Sequence, residues 1–133
     1  MILVDTSVWI DYFNNIESQY TAALDAYLDQ GVVAIGDIIY LEILQGIRKD
    51  SDYEKTRNYL STFDSYNLLG TEQVHSSANY YRQLRKKGIT VRSTTDIIIA
   101  NFCITHSIPL LTRDRDFHPF VTHSSLKLAN LDN

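Results

Sequence analysis

Four short runs, apolar apart from Asn67, alternate with longer helix-like segments, and this alternation constrains the fold more than any other feature of the chain. A strand with one face in water alternates apolar and polar residues, whereas strands covered on both faces are apolar throughout. The pattern therefore predicts an α/β fold, a three-layer α/β/α sandwich around a mostly parallel sheet of about five strands. The predicted strands cover residues 2–4, 32–35, 66–69, 108–111 and, at an edge of the sheet, 126–129.

Helix-boundary signals fill the segments between these runs. Gly31 and Gly88 follow amphipathic segments and are placed to end helices, and Asp37 precedes another and can cap it. No repeat, low-complexity tract or flexible linker interrupts the sequence, so residues 1–133 are predicted to form a single domain. The predicted helices cover residues 8–13, 17–29, 38–47, 52–64, 71–87 and 96–106.

Cysteine usage and hydropathy indicate a cytoplasmic protein. The chain has one cysteine, which excludes an intramolecular disulfide and fits a reducing compartment. No apolar run approaches the roughly 18 residues that a membrane span requires. The first residues lack a basic leader and include an acid at position 5, so they do not resemble a signal peptide.

Two aspartates follow predicted strands. Asp5 comes directly after the first strand, and Asp114 comes just after the fourth, in the stretch Leu-Leu-Thr-Arg-Asp. The carboxyl ends of parallel strands share one edge of a sheet, and ligands bind beyond that edge in open α/β folds. Taken singly, each residue also has an ordinary structural explanation, Asp5 as a helix cap and Asp114 as the start of a turn.

Two further acids lie on apolar helices. Asp96 begins the apolar face of the last predicted helix, where an uncompensated charge is costly, although a capping box from Ser93 to Asp96 is an equally good explanation. Glu42 lies in the narrow polar stripe of a helix that is apolar nearly all round. That stripe faces either solvent or a pocket. When Glu42 is considered by itself, a solvent-facing position is the simpler explanation.

The four acids are more informative as a set, because the predicted fold brings them to one rim. Carboxylates packed together repel one another, and a bound cation removes that cost. Oxygen ligands select a hard ion such as Mg²⁺ or Mn²⁺, and acid-lined Mg²⁺ sites commonly act on phosphates. The net charge of −4 is only a weak argument against a nucleic-acid partner. If four of the sixteen acids bind metal, twelve acids remain against twelve lysines and arginines.

Four stretches also match a known family in order and approximate spacing. They are MILVDTSVWIDYF at residues 1–13, YLEILQG at 40–46, TDIIIA at 95–100 and PLLTRDRDF at 109–117. Together they resemble the PIN-domain ribonucleases, in particular the VapC-type toxins of type II toxin–antitoxin systems. The resemblance extends from residue 1 to about residue 129 and implies a PIN-like sandwich.

The resemblance implies a Mg²⁺-dependent endoribonuclease with a cognate antitoxin and a homodimeric state. It assigns metal binding and catalysis to four acids. Asp116 resembles an additional acid that some family members have, but it is equally explained as a surface residue. It makes Thr6 and Thr112 the hydroxyls that orient the ligands. The four acids are Asp5, Glu42, Asp96 and Asp114.

Basic residues near the predicted rim are candidates for binding RNA phosphates, namely Arg92, Arg113 and Arg115. The run 85–87 is interpreted first as a solubilising surface cluster. His118 and His123 are assigned to a polar tail. Two rival functions stay open: a receiver-like phosphoacceptor domain, which also places acids at strand ends, and a catalytically silent PIN-like binding module.

Overall fold

Four parallel strands form the sheet within residues 1–132, the part of the chain that the computed structural model describes. Their spatial order places the first strand between the second and the fourth, and the third pairs with the second. The predicted α/β fold with a parallel sheet is confirmed, with one strand fewer than expected. The strands are β1 (Ile2–Val4), β2 (Val33–Gly36), β3 (Ser65–Tyr66) and β4 (Leu110–Leu111).

The helices form the two outer layers. The chain moves from β1 to β2 to β3 in one direction and then returns across the sheet to β4. Because crossovers between parallel strands are right-handed, this reversal puts the helices before and after β3 on opposite faces. The helices are α1 (Thr6–Phe13), α2 (Gln19–Gln30), α3 (Asp37–Gln45), α4 (Asp50–Leu60), α5 (Thr71–Lys86), α6 (Thr94–His106), the 3-10 helix η1 (Arg115–Phe117) and α7 (His118–His123).

The hydrophobic core lies on both faces of the sheet. All residues of β1 and β2 are buried, as the continuous apolar runs predict. In α6, every residue from Ile97 to Cys103 is buried, so this helix is enclosed on nearly all sides. None of the helices within residues 1–132 is both long and apolar enough to cross a membrane.

Two strand predictions were wrong in part. The fifth strand, predicted over 126–129, is reduced to one parallel bridge between Leu128 and Leu110. The third strand ends at Tyr66 instead of continuing to residue 69. Leu68 leaves the sheet because its backbone N–H donates to Asp37 Oδ1, and its side chain fills the space beside Gly36 where a Cβ would lie.

The polar tail assigned to the region of His118 and His123 was also wrong. His118 and His123 are the first and last residues of α7, which follows η1 directly. Phe117 and Phe120 are fully buried and pin this segment to the core. Because η1 begins directly after Asp114, this helical segment fixes the position of the loop that leaves β4.

Candidate active site

The candidate site lies where the direction of the chain through the sheet reverses. From β1 the chain goes to β2 on one side, whereas β4, on the other side of β1, is reached from β3. This topological switch point leaves a crevice beyond the carboxyl ends of the two strands, and ligands of open α/β sheets bind in such crevices. Asp5 and Asp114 follow these strand ends, and the Asp5 N–H donates to Leu111 O at 2.9 Å.

Asp5 is held by hydroxyl groups although it is almost fully buried. Ser7 Oγ donates to Asp5 Oδ2 at 2.7 Å, and the Ser7 N–H donates to the same oxygen at 3.4 Å as the N-cap contact of α1. Burial raises the pKa of Asp5, and the hydrogen bonds from Ser7 and Thr112 oppose that rise. Asp5 therefore caps a helix and also contributes charge at the strand end, so its two interpretations are compatible.

Thr112 connects the two strand ends. Its hydroxyl donates to Asp5 Oδ2 at 3.0 Å and accepts from the Asp114 N–H, also at 3.0 Å. The side chain is buried, so water does not compete effectively for these hydrogen bonds. One hydroxyl thus fixes the orientation of the Asp5 carboxylate and the backbone that carries Asp114.

Three carboxylates lie close enough to share one ion. Oxygens of Asp96, Asp114 and Asp116 are all within 4.8 Å of one another, and each side chain is partly buried. Asp114 Oδ1 also accepts from the Asp116 N–H at 2.9 Å, which tightens the turn between them. We call these three residues the carboxylate cluster. Asp116, which the sequence left equally open as a surface residue, is a member of it.

Asp96 carries the strongest sign of crowded negative charge. It lies in the first turn of α6, but the Ser93 side chain makes no cap hydrogen bond, so the capping-box explanation is wrong. The pKa of Asp96 is raised to about 7, first by burial and then by the charges of Asp114, Asp5, Asp116 and Glu42. Four other acids therefore act on Asp96 electrostatically, as expected for carboxylates gathered at one rim.

Glu42 is positioned from α3 by the first residue of α1. Thr6 Oγ1 donates to Glu42 Oε1 at 2.7 Å, and the two helices pack against each other. Glu42 itself is partly buried and contacts this packed region, whereas Gln45 and Gly46, at the end of the same helix, are exposed. Within residues 1–132, Asp5 and Glu42 lie outside the 4.8 Å cluster but hydrogen-bond to the two threonines beside it.

The donor set fits a hard divalent cation. All the donors are carboxylate oxygens, the ligand type that Mg²⁺ and Mn²⁺ prefer. With its pKa raised to about 7, the Asp96 carboxyl is expected to be partly protonated near neutral pH when no ion is bound. A cation that displaces this proton would remove the repulsion, so the electrostatics and the ligand chemistry agree.

Comparison with known proteins identifies the family. Residues 2–120 match the PIN domain family over most of the chain. The chain belongs to the PIN-domain family. Among curated relatives, ribonuclease VapC11 of Mycobacterium tuberculosis (strain H37Rv) is 30% identical over 132 residues, which cover 98% of both chains. Ribonuclease VapC1 of Methanocaldococcus jannaschii is 28% identical over 127 residues, covering 96% of this chain and 85% of that one.

Solved structures of toxin–antitoxin complexes share the fold. The VapBC2 complex of Rickettsia felis bound to a promoter DNA fragment aligns with a TM-score of 0.76 and 19% identity over 98% of both chains. A toxin–antitoxin complex from Klebsiella pneumoniae aligns with a TM-score of 0.70 and 27% identity, over 88% of this chain and 90% of that one. The resemblance to VapC-type PIN domains, inferred from four motifs, is thus confirmed over nearly the whole chain.

The PIN domain also contains an ion pair that the sequence did not reveal. Asp11, buried on α1, accepts from Arg113 Nε at 2.5 Å and from Arg113 Nη2 at 3.2 Å. The hydrogen bond with Asp11 is the main cause of the raised pKa of Arg113. The available signals were an acid inside the apolar segment of α1 and an arginine beside Asp114. All three candidate arginines, Arg92, Arg113 and Arg115, are exposed, and Arg113 differs from the others in its ion pair with Asp11.

Proposed function

We propose that this PIN domain, taken as residues 1–133, is a divalent-metal-dependent endoribonuclease and the toxin of a toxin–antitoxin pair. The observation that carries the proposal is the carboxylate cluster at the switch point of the sheet. It occurs in a chain 30% identical, over nearly its full length, to a ribonuclease. As metal-binding and catalytic residues we assign Asp5, Glu42, Asp96 and Asp114, with Asp116 as a fifth ligand candidate.

The chain's own residues would bind and orient the reacting groups. Asp96, Asp114 and Asp116 would hold the ion, and Asp96 would do so as the deprotonated carboxylate. When bound, Mg²⁺ or Mn²⁺ supplies positive charge for the phosphate oxygens and lowers the pKa of a water molecule. Thr112 and Thr6 keep the flanking carboxylates in orientation. Attack of a water oxygen on phosphorus would form a new P–O bond and break the P–O3′ bond, leaving a 5′-phosphate, and the released O3′ would take up a proton to become a 3′-hydroxyl.

Covalent catalysis by a thiol does not fit this site. Cys103 is the one cysteine of the chain and is buried in α6. Burial, with a smaller contribution from the charge of Asp5, raises the pKa of Cys103 to about 12. A thiol that stays protonated at neutral pH is a poor nucleophile.

The experiment that tests the proposal is cleavage of an end-labelled RNA by the purified protein with Mg²⁺, with Mn²⁺ and with EDTA. The same series is run with Asp96→Asn. Equal cleavage by the two proteins, or equal cleavage in EDTA, would contradict the proposal. Stable labelling of the protein by acetyl phosphate without RNA cleavage would favour the receiver-like alternative. If the protein neither cleaves RNA nor is labelled, the catalytically silent binding module is favoured.

Thr112→Val is expected to weaken metal-dependent cleavage about 10- to 100-fold, the usual cost of removing a hydroxyl that orients a metal ligand. Valine matches the shape of threonine but cannot donate to Asp5 or accept from the Asp114 N–H. Thr112→Ser keeps the hydroxyl and is expected to recover most of the activity. The measurement is the Mg²⁺ concentration for half-maximal cleavage, and equal values for valine and serine would contradict this role of Thr112.

The proposed antitoxin has a candidate binding groove on the face of α1, α3 and α4. The groove has a volume of about 640 Å³ and combines an apolar floor with three basic side chains and one acid at its rim. An antitoxin segment with apolar and acidic side chains would match both features. The structures that share this fold include toxin–antitoxin complexes. The residues that define the groove are Ile10, Ile43, Ile47, Arg48, Lys49, Asp52 and Lys55.

Ile10→Asp is expected to weaken antitoxin binding at least tenfold. Ile10 lines this groove and is 41% exposed, so an aspartate there opposes an acidic, apolar segment without disturbing the core. Val121→Asp, at a similarly exposed position of α7, is the matched control. Calorimetry with the product of an adjoining antitoxin reading frame measures the effect, and equal affinities for the two variants would exclude this groove.

A homodimer and a cytoplasmic location remain predictions, and sedimentation velocity tests the former.

A further inference from the structure

The basic residues of this acidic protein are concentrated in one segment. Residues 82–92 contain five of the twelve lysines and arginines and no acid, whereas the other seven share the rest of the chain with sixteen acids. The ion pairs found within residues 1–132 join Arg57 to Glu54 and Arg113 to Asp11, so none involves this segment. The five positive charges are therefore not neutralised by neighbouring carboxylates.

Two of these side chains line a groove between α5 and α6. Arg82 and Arg85 are three residues apart on α5 and lie on one side of the groove, and Thr94 and Ile97 of α6 lie on the other. The groove has a volume of about 330 Å³ and is open to solvent. No acid lines it. Positions three apart on a helix bring side chains within about 5–6 Å at Cβ, so the two guanidinium groups are neighbours.

Arg85 is also held in place by an aromatic side chain. Its guanidinium carbon lies 5.5 Å from the centre of the Tyr81 ring, which lines the same groove. Stacking on a ring leaves the in-plane N–H donors of arginine available, and these donors match phosphate oxygens. The helix dipole accounts for basic residues in the last turn of α5, but not for Arg82 or Arg92, which lie outside that turn.

The groove and the carboxylate cluster meet at the first turn of α6. Thr94 and Ile97 line the groove, and Asp96, between them in sequence, belongs to the cluster. Neighbouring helix residues point about 100° apart, so Asp96 lies about 100° from Ile97 around the helix, and the two sites occupy different sides of the same turn. Arg92 precedes this turn and is exposed. A polyanion lying in the groove would thus reach the cluster across a single turn.

We propose that the α5–α6 groove binds the sugar-phosphate backbone of single-stranded RNA and leads it to the carboxylate cluster. This inference rests on the proposed ribonuclease function and adds the path of the substrate. Arg82 and Arg85 bind consecutive phosphates, and Tyr81 keeps Arg85 in position. RNA is favoured over an acidic protein segment because the groove lies beside the helical turn that carries Asp96, where a phosphate is the expected reactant, whereas the proposed antitoxin groove is a separate one.

The test measures binding without cleavage. A short fluorescein-labelled oligouridylate is titrated with the protein in EDTA over a range of salt concentrations. Each phosphate contact with a single strand contributes about 0.7 to the slope of log K against log salt. Arg82→Gln with Arg85→Gln is therefore expected to reduce the slope by about 1.4 and the affinity by about 25-fold at about 0.1 M salt. Arg82→Lys with Arg85→Lys keeps both charges and is expected to retain most of the slope.

The control is Arg57→Gln with Lys127→Gln, which removes the same charge from positions outside the groove. An equal loss of slope in both double glutamine variants would reduce the effect to net charge and overturn the proposal. Equal weakening toward a poly-glutamate peptide would show a general polyanion site, with the same consequence. Because the titration contains no metal, it remains informative if the protein fails to cut RNA. If the Arg82→Gln, Arg85→Gln variant cleaves RNA normally and its salt slope is unchanged, the groove proposal is overturned and the proposed ribonuclease function stands.

Discussion

Asp96→Asn is expected to lower Mg²⁺-dependent RNA cleavage about 10³-fold. Asp96 is the cluster member on which the charges of four other acids act, so it is where a cation relieves the most repulsion. An ion in such a site stabilises the transition state by several kcal/mol, and about 4 kcal/mol corresponds to a thousandfold change in rate. Asparagine keeps the size of the side chain and one oxygen but removes the charge that binds the ion.

The matched control for this variant is Asp29→Asn, which removes one carboxylate from an exposed position of α2. It is expected to cleave RNA at the rate of the unmodified protein. Mg²⁺ should raise the midpoint of thermal unfolding of the unmodified protein and of Asp29→Asn, but not that of Asp96→Asn, since only a bound ligand stabilises the folded state. Loss of cleavage with full retention of this Mg²⁺ effect would show that Asp96 acts on catalysis without binding the ion.

The fold was predictable because its strands are buried on both faces. The runs that became β1 and β2 are apolar at every position, and in a chain with alternating helices this pattern favours a covered parallel sheet. The C-terminal segment was not predictable in the same way. Its two buried residues, Phe117 and Phe120, lie among charged and polar residues, and six residues of α7 are too few for a helical period to emerge.

The sequence was sufficient to predict which edge of the sheet carries the candidate site. Asp5 and Asp114 follow strand ends, and the topology of an α/β sheet dictates that such ends converge. The membership of Asp116 depends on the tight turn that η1 imposes, and the Arg113–Asp11 pair depends on how α1 packs beside the loop after β4. Both are tertiary features: the sequence marked Asp116 as a candidate and placed Asp11 in an apolar segment, but spacing along the chain did not show which residues they would contact.

The metal-free protein is expected to lose stability as the pH rises from about 4 to about 7. In the folded state the pKa of Asp96 is about 7, above the ordinary value of 3.8 that it regains on unfolding. Within this window the folded state binds more protons than the unfolded state, so deprotonation favours unfolding. The pKa of Asp5 is raised as well and acts in the same direction. For a partly buried carboxylate screened by solvent, we expect a loss of about 2 kcal/mol from Asp96.

Urea unfolding in EDTA at a series of pH values measures this loss. Asp96→Asn cannot undergo the titration, so near pH 8 its metal-free form is expected to be more stable than the unmodified protein by about 2 kcal/mol, or about 6 °C in the unfolding midpoint. Asp29→Asn, with its exposed carboxylate removed, should follow the unmodified protein throughout. A variant that cuts RNA poorly and yet folds more stably would mean that the site sacrifices stability to keep carboxylates together for a cation. Stability that is independent of pH between 4 and 8 in the unmodified protein would contradict that view of the cluster.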